Sequence, residues 1–466
     1  MGFRDGKLVV AMRDPTDLHA REDLVMLSGY DVTPVVAGAE DIGLAANRVF
    51  AAAEELSGLL SASEAADDGA RGRVVELGGL MVGEGPVVRL VGSILQRAIV
   101  DGASDVHVEP WAGETGIRYR VDGVLRGMMA VPGGLQEGLV ARIKVLAELD
   151  VAERRVPQDG RFSAVLGSQR AEARVATLPT VFGEKVVLRL LDTSSVEADL
   201  RRLGFEADML REYEQVFRRP YGTILVTGPT GSGKSTTLYA TLGEIDAGEK
   251  NIVTVEDPVE YRMPGVCQIQ VNPKVGLGFA SGLRSVLRAD PDVVMIGEIR
   301  DRETARTSIE AALTGHLGLA TLHTDNAPAA VTRLTDMGVE PFLTASAVAC
   351  VIAQRLARRL CGRCKRPARP DSRVPGLADL AARDDAAFCE AVGCGWCDGT
   401  GYRGRVGLYE LMVVDADLRE LIVDRVLTRT LERTAEAAGM TRLRQDGLAK
   451  AARGITSVEE VLRTVV

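Results

Sequence analysis

The segment that most constrains this chain is the apolar, β-branched run Thr223-Ile-Leu-Val-Thr227. It passes directly into Gly228-Pro-Thr-Gly-Ser-Gly-Lys-Ser235 and then into a helical pattern from Thr236 to Leu242. Strand, glycine-rich turn and helix in that order is the context a G-x-x-x-x-G-K-[ST] match requires. The glycines allow close backbone approach, so amide N–H groups and the positive end of the helix can surround phosphates. Gly228, Pro229, Thr230, Gly231, Ser232, Gly233, Lys234, Ser235 and Thr236 are therefore the expected cradle for ATP. Lys234 is expected to reach the β- and γ-phosphates, and Ser235 to offer its hydroxyl to Mg²⁺. The alternative is a glycine-rich turn that binds nothing.

Two more strand-like runs end in acids, where ligands of open α/β sheets collect. Ile252-Val-Thr-Val255 leads into Glu256-Asp257-Pro258-Val-Glu260, and Val293-Val-Met-Ile296 into Gly297-Glu298-Ile-Arg300-Asp301. An ordinary second ATPase motif carries Asp where Gly297 stands, so Glu298 is the first choice to polarise water and Glu256 the second. Of the four His in the chain, His316 and His323 lie seven apart around an apolar run. On a strand that spacing puts them on opposite faces, so they do not share one ligand. His323 is expected to sense the γ-phosphate and His316 to support a turn.

Strands alternate with helices beyond Leu203, which favours a mainly parallel sheet covered on both faces. Before it, a helix begins at Pro86. Strand-like runs at Gly116 to Val121, Arg161 to Val165 and Val186 to Leu191, with a helix at Leu135 to Leu149, read as an α+β domain. At the start, strands are expected at Lys7 to Ala11 and Val32 to Ala37 with a helix from Thr16. A change to Ala, Ser, Asp, Glu and Gly from Leu60 to Arg73 reads as a connector.

The 466 residues and 46% hydrophobic content suffice for about three domains. A formal charge of −9 argues against broad adhesion to nucleic acid, which needs a basic face to displace counterions. Aromatics, at 4%, are too few to favour a base-stacking platform. No apolar run approaches the roughly 18 to 20 residues that span a bilayer, so residence in the cytoplasm is expected. Among seven Cys, Cys361-Gly-Arg-Cys364 and Cys394-Gly-Trp-Cys397 form two pairs about thirty residues apart. Cys361, Cys364, Cys394 and Cys397 fit a tetrahedral structural Zn²⁺, with a redox pair as the alternative. The run from Arg355 to Arg366 is basic, and is read either as a solvated face or as a surface for anionic lipid or an acidic partner.

Taken in order, the phosphate loop, the Glu-Asp-Pro segment, Gly297-Glu-Ile-Arg-Asp301 and the His pair resemble the assembly ATPases of type II secretion systems and type IV pili. Ser104-Asp-Val-His-Val-Glu-Pro110, Arg118-Tyr-Arg-Val-Asp-Gly123, Pro157-Gln-Asp-Gly-Arg161 and Ala289-Asp-Pro-Asp-Val293 extend the likeness from about Gly85 to the carboxyl end. The resemblance implies a partial N-terminal α/β module at 1–60, a linker at 61–84 and a preceding α+β domain at 85–200. A RecA-like P-loop ATPase core at 201–358, a tetracysteine zinc module at 359–403 and a helical C-terminal segment at 404–466 follow. It also implies a homohexamer with ATP between the two main domains, approached by Arg118, Arg120 and Arg126 of the preceding domain.

The implied partners are an inner-membrane platform protein and an adaptor of a secretion or pilus machine, with peripheral attachment to the inner membrane through them. Tetracysteine modules occur in secretion and pilus-assembly members and are missing from retraction ATPases. The opening segment resembles only the second half of the domain that precedes the ATPase in many relatives. Its other half carries cyclic-di-GMP-binding repeats in some of them, so that ligand is not expected here. Thr324-Asp325-Asn326 reverses the family's Asn-Asp, and Gly318 replaces a bulkier residue. A motor for DNA uptake or retraction, a DNA pump and a regulator that no longer hydrolyses ATP are the competing functions.

Overall fold

The structure, a computed structural model, describes residues 2–4, 7–17, 20, 25, 31–38, 74–76, 85–166, 169–192, 199–245, 247–369, 374–381 and 386–465. The helix expected from Thr16 lies largely outside the described residues, as does most of the connector. The chain divides into two compact units, 1–194 and 195–466.

In the first unit, β1 (Gly2–Arg4), β2 (Lys7–Met12) and β3 (Val32–Val36) form a small sheet, β2 and β3 being parallel. A larger sheet takes β4 (Val74–Glu76), β5 (Ala103–Pro110), β6 (Glu114–Val121), β7 (Val124–Pro132), β8 (Gln158–Leu166), β9 (Gln169–Thr180) and β10 (Gly183–Asp192). Its strand order is β4-β8-β9-β10-β5-β6-β7. β4 falls inside the stretch read as linker: Val74 to Glu76 pair in parallel with Ser163 to Val165. Three residues are too few to show a period of two in the sequence.

Strand alternation divides that sheet. Val106, Val108, Ile117, Tyr119, Val186 and Leu188 form one buried face with residues of α1 (Pro86–Val100) and α2 (Gln136–Leu146). Pro86 opens α1, where its missing N–H costs nothing, and Val91, Ile94, Leu95 and Ala98 recur at helical spacing on its buried side. Tyr119 donates its hydroxyl to Ile94 O at 2.6 Å, satisfying the one polar atom this ring buries. The opposite face carries Asp105, His107 and Glu109 between cations of the flanking strands.

The second unit is built on β11 (Gly222–Thr227), β12 (Ile252–Glu256), β13 (Val266–Gln270), β14 (Val293–Ile296), β15 (Leu317–Leu322), β16 (Val348–Leu360) and β19 (Tyr402–Val413). Their order is β13-β12-β14-β15-β11-β16-β19, parallel except for β19. Every residue of β11 is buried, and alternate residues serve different cores. Ile224 and Val226 pack with α3 (Ala207–Phe217) and α4 (Lys234–Glu244), whereas Leu225 packs with α5 (Phe279–Val286), α6 (Arg302–Leu313) and α7 (Ala327–Asp336). That double burial is why a parallel strand reads as an unbroken apolar run.

Residues from 404 onward are helical only from Ala416. The twelve-residue β19 precedes those helices and pairs with β16 from Cys350↔Val413 to Leu360↔Tyr402. The short β17 (Arg366–Pro367) and β18 (Cys389–Glu390) pair between them. Among the described residues no helix is long and apolar enough to cross a membrane.

Candidate functional site

The ends of four parallel strands converge on the phosphate loop. Gly228, Gly231 and Gly233 take φ of 149°, 77° and 89°, a region L-residues with side chains rarely adopt. Gly228 also lacks space, since a Cβ there would stand 2.4 Å from Gln354 O. Lys234 opens α4 and folds back, donating from Nζ to Gly228 O at 2.9 Å and Pro229 O at 3.0 Å. Burial pushes its pKa down to about 8, against the pull of Glu298.

This cradle fits a polyphosphate. No side chain caps the N-terminus of α4, and Ser232 Oγ is buried without a hydrogen-bond partner. The first-turn N–H groups and the positive end of the helix are thus left for an anion. The Ser235 side chain, one residue into α4, is exposed, and Thr236 is half-buried.

Glu298 stands just beyond β14. Its Oε1 lies 2.8 Å from His323 Nε2, beyond β15, and its Oε2 accepts from Arg300 Nε at 2.7 Å. Thr227 and Thr324 are cross-linked at 2.8 Å, and Thr321 donates to Gly297 O at 2.6 Å, which fixes the three strand ends relative to each other. Gly297 has little room for a side chain: a Cβ would lie 3.3 Å from Glu256 Cα. The Asp of an ordinary second motif is thus disfavoured sterically, and the carboxylate comes one residue later.

Glu256 is placed differently. It is buried, and accepts hydrogen bonds from Tyr239 on α4, from Thr254 at 2.5 Å and from Gln268 at 3.1 Å. These three bonds engage both carboxylate oxygens within the fold. His316 flanks the other end of β15, its Nδ1 3.0 Å from Ala311 O and 3.1 Å from Thr314 Oγ1, as a turn support.

The three arginines of the first unit do not form one group. Arg118 pairs with Glu109 at 2.5 Å, and Arg120 lies 3.6 Å from Asp105. Lys185 and Arg189 of β10 hold the same two acids at 2.8 and 3.1 Å. Although burial opposes it, the Arg118 and Lys185 hydrogen bonds bring Glu109 down to about 2. Arg126 pairs across the ladder with Tyr119, and residues directly opposite share a face. It therefore points to the other side of the sheet from Arg118 and Arg120.

The basic run is not one face either. Arg355 and Arg358 lie on β16, where Arg358 Nη2 meets Glu460 at 2.7 Å and its guanidinium lies over Tyr402. Arg363 stacks on Trp396, and Lys365 donates to Gly454 O. Gln354 and Arg355 reach the phosphate loop, which the sequence reading of this run missed. The available signal was their place on an apolar β run parallel to β11.

The four paired cysteines converge, with all four Sγ atoms within 4.8 Å of one another. The separations Cys361–Cys394, Cys364–Cys397 and Cys394–Cys397 are 3.9, 3.7 and 3.7 Å. A tetrahedron with Zn–S of about 2.3 Å has edges of about 3.8 Å, so the donors fit that ion. Backbone N–H groups of Cys394 and Gly401 donate to Cys397 Sγ at 3.2 Å each, as metal-bound thiolates require. Trp396, between them in the chain, is clasped by Arg363 and Arg403, each 3.9 Å from its ring centre.

The profile of the Type II/IV secretion system protein family matches residues 81–463, and that of the MshEN domain residues 1–56. The type II secretion system ATPase E of Vibrio cholerae is 47% identical over 424 residues, covering 91% of this chain and 81% of its own. The type IV pilus assembly ATPase PilB of Myxococcus xanthus is 44% identical over 479 residues, covering 98% and 82%. Among solved structures, the pilus retraction motor PilT with bound ADP matches with a TM-score of 0.53 at 27% identity, covering 79% of this chain and 95% of its own. The Legionella pneumophila ATPase DotB matches with a TM-score of 0.60 at 21% identity, covering 80% and 94%, a likeness of fold alone.

Proposed function

This chain belongs to the Type II/IV secretion system protein family, and from that premise we propose that it is an ATP-hydrolysing motor driving assembly of a pilus or pseudopilus. The observation that carries the proposal is the convergence of Lys234, Glu298 and His323 at the ends of β11, β14 and β15, beside an uncapped helix. In this reading the amides of Gly231 to Thr236 bind the phosphates and Lys234 exchanges its two carbonyl partners for β- and γ-phosphate oxygens. Glu298 takes the proton of the attacking water, and His323 orients it through the 2.8 Å contact. Glu256 acts as a positioning residue, tying α4 to β12 through Tyr239. Bound Mg²⁺, held by the Ser235 hydroxyl, would neutralise charge on the phosphate oxygens.

Arg118, Arg120 and Arg126 of the α+β unit remain the candidate cations for the phosphoryl charge, the first two on one face of their sheet and Arg126 on the other. The working form is a homohexamer at the cytoplasmic side of the inner membrane, held there by a platform protein and an adaptor. The tetracysteine module holds structural Zn²⁺ and favours assembly over retraction. The six segments given by the resemblance are kept as part of the proposal, except that β4, from the stretch read as linker, is assigned to the α+β domain and β19 to the core. Phosphate release by the wild type and by Lys234→Ala tests this: the variant should release none above background, and absence of Lys234-dependent release would sink the motor reading.

A further inference from the structure

β16 outruns the phosphate-loop strand. Thr227, the last residue of β11, pairs with Ala353, so Gln354 and Arg355 lie level with the loop itself. Their side chains alternate. Gln354 is buried under the loop and accepts from Thr237 Oγ1 of α4 at 2.8 Å. Arg355 emerges beside Gly228, where a Cβ would stand 3.2 Å from its Nη1. On its other side Arg355 Nη2 donates to Asp325 O at 3.1 Å and Asp325 Oδ1 at 3.2 Å. Its Nη1 donates to Gln354 O at 3.2 Å, so the guanidinium is held from its own strand and from the loop that carries His323, next to the phosphate loop.

Its charge is poorly answered there. The Arg355 side chain is only 13% exposed, while its carboxylate partner Asp325 is 101% exposed and so fully hydrated. Burial pushes the Arg355 pKa down, and the pull of Asp325 and of buried Glu410 offsets this only in part. Glu410 makes no ion pair with it, its oxygens accepting from Ala327 and Leu443 N–H. Cations withdrawn from water are normally paired with an equally withdrawn anion. The anion missing from this arrangement is one that enters between the two loops, where Lys234 already marks the phosphate position.

We propose that Arg355 is a further substrate-contacting residue, giving its guanidinium to the terminal phosphate of ATP from within the same chain, and that Asp325 holds it when that phosphate is absent. The proposal rests on the reading of Gly228 to Thr236 as the ATP site. Arg355 thereby distinguishes ATP from ADP, and the loss of its partner after hydrolysis returns it to Asp325, moving the His323 loop relative to the phosphate loop.

The test is the affinity of the full chain for a fluorescent non-hydrolysable ATP analogue and for fluorescent ADP, with kcat, KM and melting temperature measured alongside. Arg355→Gln should weaken the ATP analogue by about 10- to 100-fold, the effect of losing a charge-assisted hydrogen bond, with ADP changed by less than about threefold. Arg355→Lys should recover part of that loss, because it restores the charge without the planar fork. Asp325→Asn should tighten the ATP analogue by about two- to fivefold. Equal loss of both nucleotides in Arg355→Gln, or no loss of either, would make the residue a brace for the loop and overturn the proposal. Should Arg355→Gln melt early, the Lys and Asp325→Asn variants decide by the same ATP-to-ADP ratio, an unchanged ratio in both overturning it. Lys234→Ala is the control: if it keeps wild-type affinity for both nucleotides, the ATP-site reading itself fails.

Discussion

The four thiols that follow β16 and the phosphate loop beside its middle are both made of tight turns, yet they differ in what they leave over. At the thiols every donor turns inward: four sulfurs face one point and Trp396 is clasped by two arginines. At the loop the groups have spare capacity, in the uncapped α4, the partnerless Ser232 hydroxyl and an Arg355 whose ion-pair partner is hydrated. Closed donor sets suit a permanent structural ion, and open ones suit a ligand that comes and goes. Two sites of one unit should therefore fail in different ways.

The largest expected effect is removal of the metal. The isolated protein should contain one Zn²⁺ per chain, and a chelator selective for zinc over magnesium should make all four paired thiols reactive to an alkylating agent. Metal binding of this kind is worth about 10 to 16 kcal/mol in small zinc modules, so the local fold should be lost while ATP hydrolysis changes by less than about threefold. Thiols equally reactive before and after chelation would break the contrast at its closed side.

On the open side, Glu298→Gln should lower kcat by about two to four orders of magnitude with nucleotide affinity nearly unchanged. Glu256→Gln should act mainly on stability, by about 1 to 3 kcal/mol, because buried Tyr239 and Thr254 and half-buried Gln268 lose a charged acceptor. Steady-state kinetics with denaturant titration separates them, and a reversed pattern would exchange the roles of the two acids.

The smallest effect concerns Glu460, which anchors β16 near the thiols. Burial disfavours its charge, but bonds from Arg463 and Arg358 outweigh this and hold the carboxyl at about 2, below the ordinary 4.5. A depressed acid stabilises the fold above the unfolded pKa and loses that contribution as pH falls through the folded one, here from about 4.5 towards 2. The gap between wild type and Glu460→Gln should be about 3 kcal/mol at pH 7, from about 1.4 kcal/mol per pH unit, and shrink by pH 3.5. A gap that widens on acidification would show that the charge does not support this end of the strand.

The phosphate loop, the strand-end acids and the thiol pairs were legible because each motif is local, with its chemistry carried within about eight residues of chain. Glu298 and His323 meet only through parallel pairing, but the order of strands ending in polar residues already pointed to a common edge. Arg355 was read as one member of a basic run, since a sequence does not show which positions a neighbouring strand outruns. Arg126 was grouped with Arg118 and Arg120 through the family resemblance, whereas the tight turn at Asp122 and Gly123 sets it opposite Tyr119 and so on the other face. β19 was hidden for another reason: Val406 to Val413 is buried almost throughout, and such a run lacks the alternation that separates strand from helix.

β16 has one further consequence. From Arg355 to Cys361 the chain runs six residues along the strand and just past its end, at about 3.3 Å each, so about 20 Å separates the guanidinium from the first sulfur. No loop interrupts that span, and β19 splints it through continuous pairing from Arg355↔Leu408 to Arg358↔Arg405. A paired strand is stiff along its length. It is a pushrod from the nucleotide end as far as Arg358, and the shift of register before Leu360 is the joint at which it meets the thiol turn.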